Sequence, residues 1–139
     1  MIESILGVLS GLATIAFARL IRGERWFYAL VLVSLPLIYA AFALEAGART
    51  VVHTELVYGL PWIVVGVLAL AAGFPFSANL VALLWLAHAG YDLLHAGLVT
   101  NPGVPGWYPL WCAAIDVVVA VYLVWLARRL PAGNLRRAR

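Results

Sequence analysis

Long apolar runs, interrupted by short polar breaks, dominate the chain. Five stretches, 3–21, 26–46, 52–73, 76–99 and 107–130, each approach the roughly 20 mostly apolar residues that a membrane-crossing helix needs. Each break has a local cause. "RGER" parts the first two stretches and "AGART" the second and third, while "GFPFS" reads as a tight turn around Pro75. "TNPGVPG" carries Pro102 and Pro105, which no helix runs through easily, and "LPAGNLRRAR" opens a polar tail. The pattern predicts an all-α, polytopic integral membrane protein. A five-helix transmembrane bundle would occupy 1–130, and a basic cytoplasmic tail 131–139. Pro36 and Pro61 fall inside runs, where they leave the Leu32 and Val57 carbonyls without helical partners and predict kinks.

Composition sharpens this reading. Of 139 residues, 65% are hydrophobic and 11% charged, against roughly a quarter charged in an ordinary soluble domain. One cysteine, Cys112, excludes an intrachain disulfide and a zinc-type cysteine pair. All nine basic residues are arginine, so Schiff-base pigments and lysine nucleophiles are excluded. Ala16-Phe17-Ala18 looks like a signal-peptidase site. Glu3 ahead of the apolar run and Arg19, Arg22 and Arg25 behind it are the reverse of a secretory signal, which predicts a retained first helix.

Arginine placement sets the orientation. Five spans put the first turn and the C-terminus on one side, where eight of the nine arginines fall, leaving only Arg49 opposite. The positive-inside rule then places the C-terminus in the cytoplasm and the N-terminus outside. Trp26, Tyr28 and Trp125 near one interface, and Trp107 and Tyr108 near the other, fit aromatic belts. An arginine-rich tail beside a span is read most economically as attracted to anionic headgroups, with no nucleic-acid partner.

Against this apolar background "LAHAGYDLLHAG" stands out. His88, Asp92 and His95 are spaced by four and three residues, so they share one helix face. Asp92 would lie about 11 Å and Asp116 about 13 Å below the outer surface at 1.5 Å per residue. Charged groups at such depth cost a few kcal/mol each (roughly 2.5–3.5) against lipid and must point inward. Asp92 and Asp116 are therefore expected to face a shared space, within about 12 Å of each other. Ala87, Ala89, Gly90, Ala96, Gly97, Ala113 and Ala114 would let the two helices approach closely.

Histidine and carboxylate at helical spacing are suitable ligands for zinc, iron or manganese. The metal-ligating set read from the sequence is His88, Asp92, His95 and Asp116. His88 and His95 lie about 10.5 Å apart along the axis, so one ion reached by both would be strained. Asp92 with one histidine, completed by Asp116 and by Glu55, His53 or Glu45, is one solution; two ions bridged by a carboxylate is another. Glu55 and Asp92 are the candidate catalytic residues, Glu55 as the base and Asp92 (or Asp116) as a protonated acid if no metal is bound. Glu45, Arg49, His53 and Glu55 near the second turn have an equal reading as solvated or paired interface charges. Cys112 reads as a small buried apolar residue, one turn from Asp116.

The run from "WLAHAGYDLLH" to "VPGWYPLWCAAIDVVVAVYL" resembles a family of small bacterial integral-membrane proteins of unknown function. Its pattern is His-x-x-x-Asp-x-x-His in one helix, a Pro-containing turn, then Cys-x-x-x-Asp. Those positions are His88, Asp92, His95, Cys112 and Asp116, and the resemblance covers the last third to two-fifths of the chain. The chain departs from the pattern at Ile115, where the family has a second cysteine, and at Val117, where it has proline. The resemblance implies a bacterial inner-membrane location and no particular activity.

These readings lead to a membrane protein with a polar, metal-binding site in its outer half, serving as a metal-dependent hydrolase of an amphiphilic or lipid substrate. Three other classes use the same residue types. They are a proton- or ion-coupled transporter, a metal-free acid–base enzyme on an isoprenoid-like lipid, and a structural subunit of a membrane complex. The inner half offers only Thr14, Ser34 and Asn79 as polar groups, which favours a pocket open to one side. The short chain has limited interior, so a channel would need a homo-oligomer.

Overall fold

The computed structural model describes residues 1–72 and 78–129. The expected turn around Pro75 and the basic tail at 131–139 lie outside the described residues. Five helices follow in order: α1 Ile2–Leu20, α2 Phe27–Glu45, α3 Arg49–Ala72, α4 Ala78–Leu98 and α5 Tyr108–Arg129. Their limits match the apolar runs to within three residues. Both α2 and α3 continue through their prolines.

Two helix ends explain the first two breaks. Gly47 takes φ +73° just past α2; its N–H bonds to Leu44 O, and the Ala48 N–H reaches back to Ala43 O. That pairing satisfies carbonyls the helix end would otherwise orphan. The same pairing closes α1, with the Arg22 N–H on Arg19 O and the Gly23 N–H on Ala18 O. Here Arg22 holds the left-handed conformation, φ +54°, that glycine usually fills.

Close helix contacts are made by glycines. On α1, Gly7 and Gly11 are four apart and lie against α5. A Cβ on Gly7 would collide with the Trp111 carbonyl and Ala114, and one on Gly11 with Val118. Small residues at that spacing let helix backbones approach. Gly59 and Gly66 do the same for α3 against Pro36 and Val33 of α2. Between α4 and α5, Ala89 and Ala113 are buried. Contrary to expectation, Gly90 and Gly97 face open space, and Ala114 serves the α1 contact.

The α2–α3 pair meets α4 more sparsely, partly through hydrogen bonds. Trp62 Nε1 donates to Leu84 O at 3.0 Å, and Trp85 Nε1 to Tyr28 O at 3.2 Å. Tyr122 of α5 donates to Glu24 in the α1–α2 connection. Tyr28 and Tyr108 are buried, so they are core residues and not belt residues, whereas Trp26, Trp107 and Trp125 are exposed.

The core is largely apolar, yet the outer surface is apolar too and five ionisable residues lie inside, unlike a soluble bundle. Leu30, Leu37, Leu60, Leu68, Leu83, Leu93 and Leu94 are exposed, while Glu55, His88, Asp92, His95 and Asp116 are buried. Four helices, α1, α2, α3 and α5, are long and apolar enough to cross a membrane. The remaining helix, α4, has 21 residues. It carries the three ionisable groups His88, Asp92 and His95, which lower its hydropathy.

Candidate metal centre

The polar face of α4 meets α5 where Ala89 and Ala113 allow close approach. His88 Nδ1 lies 2.8 Å from Asp116 Oδ2 and 3.5 Å from Asp92 Oδ2. Cys112, one turn before Asp116, completes the group. One donor atom from each of His88, Asp92, Cys112 and Asp116 lies within 4.8 Å of the others. All four side chains are buried, with Asp116 wholly inaccessible. Asp92 and Asp116 thus converge as their matched depth predicts.

This group is incompletely satisfied. Asp92 Oδ1 accepts a hydrogen bond from Tyr39 Oη at 2.8 Å. Among the described residues, Asp92 Oδ2 and Asp116 Oδ1 have no hydrogen-bond partner. With both carboxylates ionised and His88 protonated, the group still carries a net charge of about −1 in a buried site. Burying unpaired oxygen lone pairs costs of order 1–3 kcal/mol each. A cation or an added proton removes both penalties.

A second network lies alongside and is balanced. Glu55 Oε1 accepts from Asn101 Nδ2 at 2.7 Å and sits 2.9 Å from His95 Nε2. Glu55 Oε2 accepts from Tyr91 Oη at 2.9 Å. Asn101 also donates to Tyr39 O, and its Oδ1 accepts from the Gly103 N–H. Every Glu55 oxygen therefore has a donor. His95, expected as a ligand beside Asp92, belongs to this second network and does not join the four-residue group. Two helical turns separate it from His88, enough to place it at another level. Glu55, expected as a base, is committed to three partners.

Tyr39 connects the two networks. Its ring stacks on His95 at 4.2 Å between centroids, and its hydroxyl serves Asp92. Nothing in the pattern of α2 singles it out, because a tyrosine in an apolar run reads as packing. Asn101 is equally hidden, since "TNPG" reads as a turn. Glu45, Arg49 and His53 are exposed and take no part in either network. A cavity of about 260 Å3 borders His95 and Ala96 at the end of α4, Asn101 and the rest of the α4–α5 connection, and Pro109 at the start of α5.

The chain matches no family model, no curated protein and no solved structure.

Proposed function

We propose that this chain is a five-span protein of the bacterial inner membrane, with its N-terminus outside and its C-terminus in the cytoplasm. In this reading it holds one divalent metal ion among His88, Asp92, Cys112 and Asp116. The observation that carries the reading is a buried set of four donors within 4.8 Å, two of whose carboxylate oxygens have no hydrogen-bond partner among the described residues. Metal bonds of about 2.0–2.3 Å set tetrahedral donors roughly 3.3–3.7 Å apart. The His88–Asp116 contact would open by under about 1 Å, and a pair at the 4.8 Å limit would close by roughly 1–1.5 Å. Nitrogen, oxygen and sulfur donors together favour zinc or iron over manganese. Exposed leucines around a polar interior, and four helices of spanning length, support the membrane setting.

Hydrolysis of an amphiphilic substrate is the reaction class this site fits, with the ion as Lewis acid. A catalytic site needs an open position, so one of the four donors must stand back. Asp92, already held by Tyr39, is the group placed to do so and to act as base. Glu55 and His95 then act through Tyr39, as positioning residues near the 260 Å3 cavity.

A second reading, acid–base chemistry without metal, is favoured by the direct His88–Asp116 contact at 2.8 Å. Elemental analysis of the detergent-purified protein, resupplied with zinc, iron and manganese, separates the two. About one metal per chain supports the first reading; substoichiometric metal for all three transfers the assignment to the second.

A further inference from the structure

At the opposite end of the bundle, residues of α4 and α5 line a groove of about 520 Å3, with the buried Ala82 and Ala120 among them. This is a volume typical of small-molecule sites, roughly 300–1,000 Å3. The walls are apolar, formed by Leu83 and Leu86 of α4 and by Val121 and Val124 of α5. The rim is polar and cationic. Asn79 opens α4 there, and Arg128 closes α5 opposite it. Arg129, beside Arg128, holds its guanidinium 4.2 Å from the centroid of Trp125, which also lines the groove. No carboxylate lines the groove among the described residues.

We propose that this groove binds a phospholipid with an anionic headgroup. Its phosphate lies on Arg128 and Asn79, and the upper part of one acyl chain lies between Leu83, Leu86, Val121 and Val124. The inference rests on the membrane reading above and is independent of the metal. Guanidinium matches phosphate with paired N–H donors, and the Asn79 amide adds another. Asn79 and Leu86 are seven residues apart, so the apolar wall runs about 10 Å inward from the rim. A free anion would leave that wall uncovered. A lipid covers wall and rim together.

The test uses the full chain in detergent, stripped of lipid. It is titrated with phosphatidylglycerol or phosphatidylcholine of the same acyl composition, and bound lipid is counted by native mass spectrometry. The wild type should prefer phosphatidylglycerol by roughly five-fold, the size of one arginine–headgroup attraction. Arg128→Gln should lose most of that preference, while Arg136→Gln in the tail should keep it. Val121→Trp, at an exposed wall position, should reduce both, with helical content by circular dichroism unchanged. Equal binding of the two lipids by the wild type, or a preference undiminished in Arg128→Gln, overturns the proposal. Recovery of the chain from cells without detergent would instead overturn the membrane reading itself.

Discussion

The ring of Tyr39 lies nearly parallel to that of His95, 25° between planes and 4.2 Å between centroids. The same side chain donates its hydroxyl to Asp92 at 2.8 Å. One residue of α2 therefore fixes the spacing of two polar networks that α4 carries on successive turns. The network of Glu55 and His95 has donors for all its acceptors, and the group of His88, Asp92, Cys112 and Asp116 does not. That inequality, more than the presence of ionisable groups, distinguishes a structural cluster from a ligand site.

Metal content should divide along the same line. His88→Ala and Asp116→Ala should lose bound metal, while His95→Ala should keep it near the wild-type stoichiometry. Elemental analysis of the three purified variants decides this. Metal loss in His95→Ala equal to that in Asp116→Ala would place His95 back among the ligands.

Tyr39→Phe keeps the stacked ring and removes the donor to Asp92 Oδ1. A buried carboxylate oxygen left without its donor costs about 1–3 kcal/mol, so thermal unfolding in detergent should shift down. Added zinc should recover part of the loss, because ligand binding to the folded state stabilises it by mass action. An unchanged midpoint would mean that the hydroxyl contributes nothing to the site.

Asn101→Ala removes two donated hydrogen bonds and the acceptor of the Gly103 N–H. The α4–α5 connection should loosen, with faster amide hydrogen exchange over 99–106 and a stability loss of about 1–3 kcal/mol. Exchange confined to its wild-type rate would show that the connection is held by other contacts.

Glycine substitutions should separate by neighbour. Gly7→Leu must displace the α5 backbone at Trp111 and should cost about 1–3 kcal/mol or more, or abolish folding. Gly90→Ala meets open space on a helix and should stabilise by about 0.5–1 kcal/mol. Paired unfolding curves provide the check, and equal effects at the two sites would contradict the α1–α5 packing.

Reporter fusions after Arg139 test orientation. On the proposed five-span reading a cytoplasm-active reporter should work there, since that reading puts eight of nine arginines on that side. Activity of a periplasm-only reporter would invert the arrangement.

The helices were legible because length and apolar continuity fix them, and turn residues mark their ends. The start of α3 at Arg49 was not, because hydropathy gives no weight to a polar first turn. The meeting of Asp92 and Asp116 followed from depth alone. The separation of His95 was half-visible in its two-turn distance from His88, yet its partner Glu55 sits on another helix with no shared periodicity. Tyr39 and Asn101 escaped because their roles depend on contacts 53 and 46 residues distant in sequence. The Gly7–Gly11 spacing was readable and lay outside the polar face that drew attention.

The polar character of α4 bears on how the bundle is assembled during synthesis. A lone aspartate near a helix centre costs roughly 2.5–3.5 kcal/mol on insertion scales, and α4 adds two histidines to it. Within a bilayer this helix is the poorest at partitioning unaided. Two of its partners, Tyr39 and Glu55, precede it and leave the ribosome first, whereas Asp116 follows. The α2–α3 hairpin is therefore placed to receive α4 as it emerges, through Asp92 and His95. His88 has only Asp92 of its own helix, at 3.5 Å, until α5 brings Asp116, so the four-donor cluster is the last part of the interior to close.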